Sequence, residues 1–138
     1  MYEQMLAQVP LFKDLSPREV QVLASSCRER EYPAGAVLLR QGETGVGLFV
    51  IVEGKVRVTQ HREGGEEHEL SILGKGDVLG EMSLLDDLPR SATATALEPT
   101  RALVMPVWDF RAVLRESPEI GITLLSVLSR RLRQAEQR

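Results

Sequence analysis

The sequence predicts a mainly β protein with helices before and after the β region. Three observations carry that reading. From Arg28 to Met105 short β-type runs alternate with glycine-bearing turns, whereas the segments on either side place apolar residues at helical spacing. Ten of the eleven glycines fall between or at the ends of the β-type runs, and only Gly121 lies outside them. At 138 residues, 43% apolar and 27% charged, the chain suits one globular domain with a single sizeable core. A single domain over 1–138 is therefore expected, with N-terminal helices over 1–27, a β region over 28–105 and C-terminal helices over 106–138.

Taken in order, Met1, Met5, Leu6 and Val9 predict a short amphipathic helix that Pro10 ends, with Leu11 and Phe12 plugging into the core. Ser16-Pro17-Arg18-Glu19 is a helix start: Ser16 caps, Pro17 suits the first helical position and Glu19 completes a capping box. That helix is expected to reach Cys27 and to bury Val20, Leu23 and Ala24. Strands are predicted at Glu29–Tyr32, Ala36–Arg40, Leu48–Val52, Lys55–Gln60, His68–Leu73, Ala92–Leu97 and Arg101–Met105. Short strands so punctuated indicate a sandwich, roll or barrel. Val56 and Val58 alternate with Lys55, Arg57 and Thr59, which marks one wet face, while the unbroken run Leu48 to Val52 is buried on both. Glu53-Gly54 reads as a tight hairpin turn and Arg62 to Glu67 as a looser, solvated one. A helix follows over Pro106–Ser117, with Val107, Phe110, Val113 and Leu114 on one face. Trp108 is assigned to packing rather than to stacking on a base. Pro118 starts a last helix whose stripe Ile120, Leu124, Val127, Leu128 and Leu132 gives way to Arg130, Arg131 and Arg133, cations suited to a helix C-terminus.

The formal charge of −3 offers no global attraction to nucleic acid or to an anionic membrane. Cys27, the one cysteine, is read as a partly buried structural thiol. No apolar run spans a membrane and no signal-peptide core opens the chain, so a cytoplasmic location is expected. His61 and His68 flank an acidic, glycine-bearing loop; a metalloenzyme of the all-β type needs two or three converging histidines and a carboxylate, so both are read as exposed hairpin residues. No nucleophile–base pair or Walker-type loop is present, and the chain is not expected to be an enzyme.

One stretch, Leu79 to Ala92 (LGEMSLLDDLPRSA), concentrates chemistry. Gly80 permits close backbone approach, and Glu81 offers carboxylate oxygens that accept from a sugar hydroxyl. Glu81 to Leu85 is long enough for one helical turn whose first N–H groups favour an anion. Pro89 sets a backbone angle just ahead of Arg90, whose planar, permanent charge suits phosphate oxygens. Ser91 and Ala92 are small enough for their backbone N–H groups to join in. Read alone, Glu81 and Arg90 are residues of a surface turn.

Read together, Gly80, Glu81, Met82, Ser83, Leu84, Leu85, a three-residue spacer, Pro89, Arg90, Ser91 and Ala92 resemble the phosphate-binding cassette of the cyclic-nucleotide-binding domain family, found in catabolite-activator-type regulators and kinase regulatory subunits. Tyr32, Gly35, Leu38, Gln41-Gly42-Glu43, Leu48–Ile51, Gly54, Leu70, Leu73 and Gly76-Asp77 fall where such domains place core strands and turns. Leu79 stands where an aromatic is usual and Ser83 where alanine is. The resemblance implies a β-roll (double-stranded β-helix, jelly-roll-like) that binds one cyclic nucleotide. Arg90 and backbone N–H groups near Met82 and Ser91 would take the cyclic phosphate, with Gly80 and Glu81 on the ribose 2′-hydroxyl and Ser83 and Ala92 completing the site. Ser91 after the arginine favours cyclic AMP over cyclic GMP, with cyclic dinucleotides a distant third. Activator-type relatives use a Thr-Ser pair on the last helix; Ala135-Glu136 stand there, leaving Arg131 and Gln134 as candidate base contacts. No cofactor and no metal are implied. Expected partners are the nucleotide and either a second copy through the C-terminal helix or an effector protein; binding to nucleic acid or membrane is not expected. The alternatives are a degenerate β-roll serving as a protein-interaction scaffold, and the truncated sensor part of a Crp-type transcription regulator.

Overall fold

The change of period at Arg28 is also a change of architecture. The computed structural model describes residues 2–44, 47–86 and 88–137 (for Met82, the backbone alone). The chain falls into two compact units, Met1–Ser26 with Trp108–Arg138, and Cys27–Val107.

In the helical unit, α1 (Glu3–Ala7) is shorter than the expected helix, of which Met1 lies outside the described residues. Val9 is already extended ahead of Pro10, as the residue before a proline must be. A 3-10 turn over Pro10–Phe12 buries Leu11 and Phe12 completely. α2 (Pro17–Ala24) opens on the full capping box: the Glu19 N–H donates to Ser16 Oγ at 3.2 Å and the Ser16 N–H to Glu19 Oε1 at 2.9 Å. It stops short of Cys27, because the Ser25 hydroxyl turns back to the Val22 carbonyl at 2.6 Å and the first strand begins at Arg28. Val20 and Leu23 are buried; Ala24 is only half so. α3 (Val107–Glu116) buries Phe110 and Val113, and the Phe110 ring lies 6.4 Å from that of Phe12. Trp108 is 70% exposed, against the packing role expected of it. Residues at three- and four-residue spacing share a helix face, so Val107, Phe110 and Val113 take the buried one and Trp108 falls off it. α4 (Pro118–Glu136) buries Ile120, Leu124 and Val127. Leu132, expected in the same stripe, is exposed and stands in a second row with Ile122 and Leu125. Arg130 is paired with Asp14.

In the other unit the described residues form a roll of eight strands. β1 (Arg28–Tyr32), β3 (Gly47–Glu53), β6 (Val78–Leu79) and β8 (Thr100–Pro106) form one antiparallel sheet in the order β1-β8-β3-β6. β2 (Val37–Leu39), β4 (Val56–His61), β5 (Glu67–Leu73) and β7 (Thr93–Ala96) form the other, in the order β2-β7-β4-β5. Phe49, Ile51, Leu79, Ala102 and Val104 from the first sheet meet Val56, Val58 and Ala94 from the second in one apolar core. Leu48, Val50 and Val52, which point the other way along β3, are buried too, so that strand is covered on both faces as its composition requires.

Three expectations change here. Glu53-Gly54 is not a hairpin, since β3 and β4 belong to different sheets and do not pair. Thr59 is buried rather than wet: the β4–β5 register shifts between Val58 and Thr59, with Leu70 as the extra residue of a bulge, and the alternation is lost there. β6 was not expected, because two residues are too few to show a period. It pairs Val78 and Leu79 with Val50 and Phe49, and the turn ahead of it is pinned by the Gly76 N–H to the Ile51 carbonyl at 2.7 Å and the Gly74 N–H to Asp77 Oδ2 at 2.8 Å. This short strand delivers the chain to Gly80.

Candidate ligand-binding site

The stretch from Gly80 to Ala92 is held at both ends. At its start, β6 fixes Leu79 on the sheet, and a 3-10 turn over Met82–Leu84 follows. The Ser83 N–H donates to the Gly80 carbonyl at 3.1 Å, and Leu84, 2% exposed, anchors the turn in the apolar interior. At its end the backbone joins the loop after β2. Pro89 bridges Thr44, the Arg90 N–H donates to the Glu43 carbonyl at 2.8 Å, and the Gly42 N–H donates to the Arg90 carbonyl at 2.9 Å. Asp86 Oδ1 accepts from the Leu88 N–H at 3.2 Å, closing a local turn between these anchors.

This frame sinks the Arg90 side chain, which leaves the residue only 6% exposed. Nη2 donates to the Gly47 carbonyl at 2.6 Å. Nε and Nη1 are buried and have no protein acceptor among the described residues. Burial pushes the guanidinium below its ordinary pKa, with the Asp86 carboxylate acting in the opposite and smaller sense. The group nevertheless stays charged in any physiological medium. A buried cation with two unanswered donor nitrogens is costly, and an anion is the partner that would relieve it.

A cavity of about 540 Å³ opens beside it, within the roughly 300–1,000 Å³ usual for small-molecule sites. Gly80, Glu81, Ser83, Arg90, Ser91 and Ala92 all line it, so the structure brings together these six of the residues singled out in the sequence. The Met82 side chain lies outside the described residues. Arg131 and Gln134 stand on α4, in the helical unit. The rest of the lining is largely apolar, with Leu39, Val58, Leu70, Leu79 and Leu88 among it. The site therefore has a charged end and a greasy wall, which suits an anion carried on a flat, weakly polar body.

Three contributors escape a reading of the sequence. Gly47 supplies the carbonyl that holds Arg90. Gln60 Nε2 donates to the Ser91 carbonyl at 3.0 Å, which fixes the peptide next to the cation. Leu70 reaches the cavity from the bulge in β5. None belongs to a local pattern. A second cavity of about 550 Å³, near Tyr32 and Arg101, lacks such a charge, since Arg101 is already paired with Glu29 at 2.7 Å and Glu53 at 3.3 Å. Among the described residues no three His, Cys, Asp or Glu side chains gather as a metal site would require, and no helix is long and apolar enough to cross a membrane.

The cyclic nucleotide-binding domain family matches residues 29–117, which contain every residue lining the cavity. The chain belongs to that family. As a cyclic nucleotide-binding domain it is 42% identical over 127 residues to the cyclic AMP receptor protein of Thermus thermophilus, a match covering 92% of this chain and 59% of that protein. It is also 42% identical over 100 residues to the cAMP-dependent protein kinase regulatory subunit of Mycosarcoma maydis, covering 72% of this chain and 19% of that one. Among solved structures, the N-terminal domain of a transcriptional regulator from Streptomyces coelicolor A3(2) superposes with a TM-score of 0.88 at 34% identity, covering 96% of this chain and 93% of that one. The two-sheet roll with flanking helices is thus the fold of that regulator's N-terminal domain. This chain spans under two thirds of the length of the Thermus protein.

Proposed function

We propose that this chain is a sensor module that binds one cyclic nucleotide, cyclic AMP in preference to cyclic GMP, and does no chemistry on it. The observation that carries the reading is the pair of buried Arg90 nitrogens, Nε and Nη1, that find no acceptor among the described residues at the charged end of a largely apolar cavity. A cyclic phosphate brings one negative charge and two exocyclic oxygens that accept hydrogen bonds, which a buried guanidinium with donors to spare can answer. The backbone N–H groups near Met82 and Ser91 complete the phosphate's shell. Glu81, half-buried in the lining, accepts from the ribose 2′-hydroxyl beside Gly80. The purine lies on the wall of Leu39, Val58, Leu70 and Ala92. Ser91, following the arginine, is the roll residue from which a preference for adenine would come. The second copy is the partner best supported, because α4 carries an apolar row (Ile122, Leu125 and Leu132) that stays exposed in the single chain.

Titration calorimetry with cyclic AMP and cyclic GMP tests the reading. Saturable binding of one equivalent, tighter for cyclic AMP, is expected. A folded protein that takes up neither nucleotide at millimolar concentration would leave the scaffold alternative standing. Equal affinities would remove the adenine preference alone.

A further inference from the structure

The reason Gly80 must be glycine lies in the arginine. A Cβ built on Gly80 would overlap Arg90 Nη1, stand 2.9 Å from Arg90 Cζ and come 2.6 Å from the Gly47 carbonyl oxygen. That oxygen is the one accepting from Arg90 Nη2. The empty side-chain position of Gly80 is therefore occupied by the guanidinium itself. Gly47 is held in β3 by its pairing with Pro106 on β8, and a Cβ there would overlap the Met105 carbonyl oxygen.

We infer that Gly80 is a positioning residue: the space left by its missing side chain is the slot in which the Arg90 guanidinium lies. The carbonyl of Gly47 sets the rotation of the plane through one N–H, and the Gly80 backbone sets its tilt. Together they decide where the remaining N–H groups point. On this view Gly80 acts on a ligand through Arg90. The expectation from sequence, that its bareness serves close approach of the ligand to the backbone, assigns the same glycine a different partner. The inference rests on the reading of Arg90 as the anion-binding group, though the slot itself does not.

The backbone at Gly80 has φ +76°, so any L-residue is strained there regardless of Arg90. A double-mutant cycle cancels that strain. Gly80→Ala is made in the parent and in Arg90→Lys, whose slimmer side chain lacks Nη1 and has no use for the slot. In the parent, Gly80→Ala should weaken cyclic AMP binding at least about tenfold more than it does in Arg90→Lys, a coupling within the range of residues in contact. The same loss factor in both backgrounds would mean that Gly80 meets the ligand directly, and would overturn the inference. Thermal unfolding without nucleotide gives an independent arm: Gly80→Ala should lower the melting temperature more in the parent than in Arg90→Lys. A Gly80→Ala chain that unfolds alone but folds beside Arg90→Lys supports the slot; unfolding, or equal destabilisation, in both overturns it. If the parent binds no cyclic nucleotide, the proposed function fails while the unfolding arm still decides the slot.

Discussion

Replacing Arg90 by methionine sets ligand binding against stability, and the structure fixes the sign of both effects. The residue is 6% exposed, and among the described residues its side chain makes one hydrogen bond, to the Gly47 carbonyl, and leaves Nε and Nη1 unanswered. Each buried unsatisfied N–H costs about 1–3 kcal/mol, and the charge-assisted bond to Gly47 returns about 1.5–3 kcal/mol. Methionine fills much of the same space without the charge, so the ligand-free protein should be unchanged or more stable by up to ~3 kcal/mol. For a domain of this size that is a rise in melting temperature of at most roughly 10 °C. Binding moves the other way. A phosphate left without its countercharge in a partly dry cavity loses about 2–5 kcal/mol, or roughly thirty-fold to several thousand-fold in affinity. Differential scanning fluorimetry with and without cyclic AMP reads both quantities. At a hundredfold excess over the parent's Kd the nucleotide should stabilise the parent by about 2.7 kcal/mol and Arg90→Met by about 0.9 kcal/mol or less. A variant that still gains the parent's ligand shift would refute the assignment of the phosphate to Arg90. One that melts well below the parent without ligand would refute the claim that the cation is held at a cost.

Glu81→Gln keeps an acceptor oxygen beside the sugar, so calorimetry should show a smaller loss than at Arg90, about three- to tenfold. Gln60→Ala frees the Ser91 carbonyl from its 3.0 Å hydrogen bond and should weaken cyclic AMP binding about two- to tenfold, with rescue by no residue lacking an amide donor. Ser16→Ala removes the α2 cap; chemical denaturation should show a loss of about 0.5–2 kcal/mol, with nucleotide affinity unchanged.

How far the sequence carries the structure depends on how local the determinant is. The frame from Gly80 to Ala92 is legible because its chemistry lies within one short stretch, and the capping box of α2 because it spans four residues. The carbonyl that seats Arg90 comes from Gly47, 43 residues away, and the amide that holds Ser91 comes from Gln60, 31 residues away. Neither residue belongs to a pattern, and only the closure of the two sheets brings them in. β6 has no period to detect and is a strand only because β3 offers it an edge. The turn at Glu53-Gly54 shows the same limit in topology: glycine marks a reversal, but whether the next strand pairs with the last or joins another sheet is decided by the whole roll. Trp108 shows the limit for burial, because helix phase prevails over residue type.

The second apolar row on α4 leads to a prediction about assembly. Ile122, Leu125 and Leu132 are 67%, 67% and 61% exposed, and with Ser129 between them they follow the three-four-three spacing of a helix–helix seam. Pairing two copies along this seam would cover six such side chains, each contributing about 1–2 kcal/mol for the part now exposed. Against that stands an association cost of about 4–15 kcal/mol. Ser129 adds no apolar area at the centre, and the basic residues at one end, of which Arg130 is paired with Asp14, meet like charge in a second copy, so the balance is small. The expected outcome is a weak dimer, monomeric at nanomolar and assembling at tens to hundreds of micromolar (about 5–7 kcal/mol of binding), and tighter at high salt as the arginines are screened. Sedimentation velocity across that range reads it directly. Leu125→Glu should abolish the dimer without lowering the melting temperature of the dilute chain, because the residue is exposed there. A dimer that survives Leu125→Glu, or a parent still monomeric near 1 mM, would show that this row serves some contact other than a second copy.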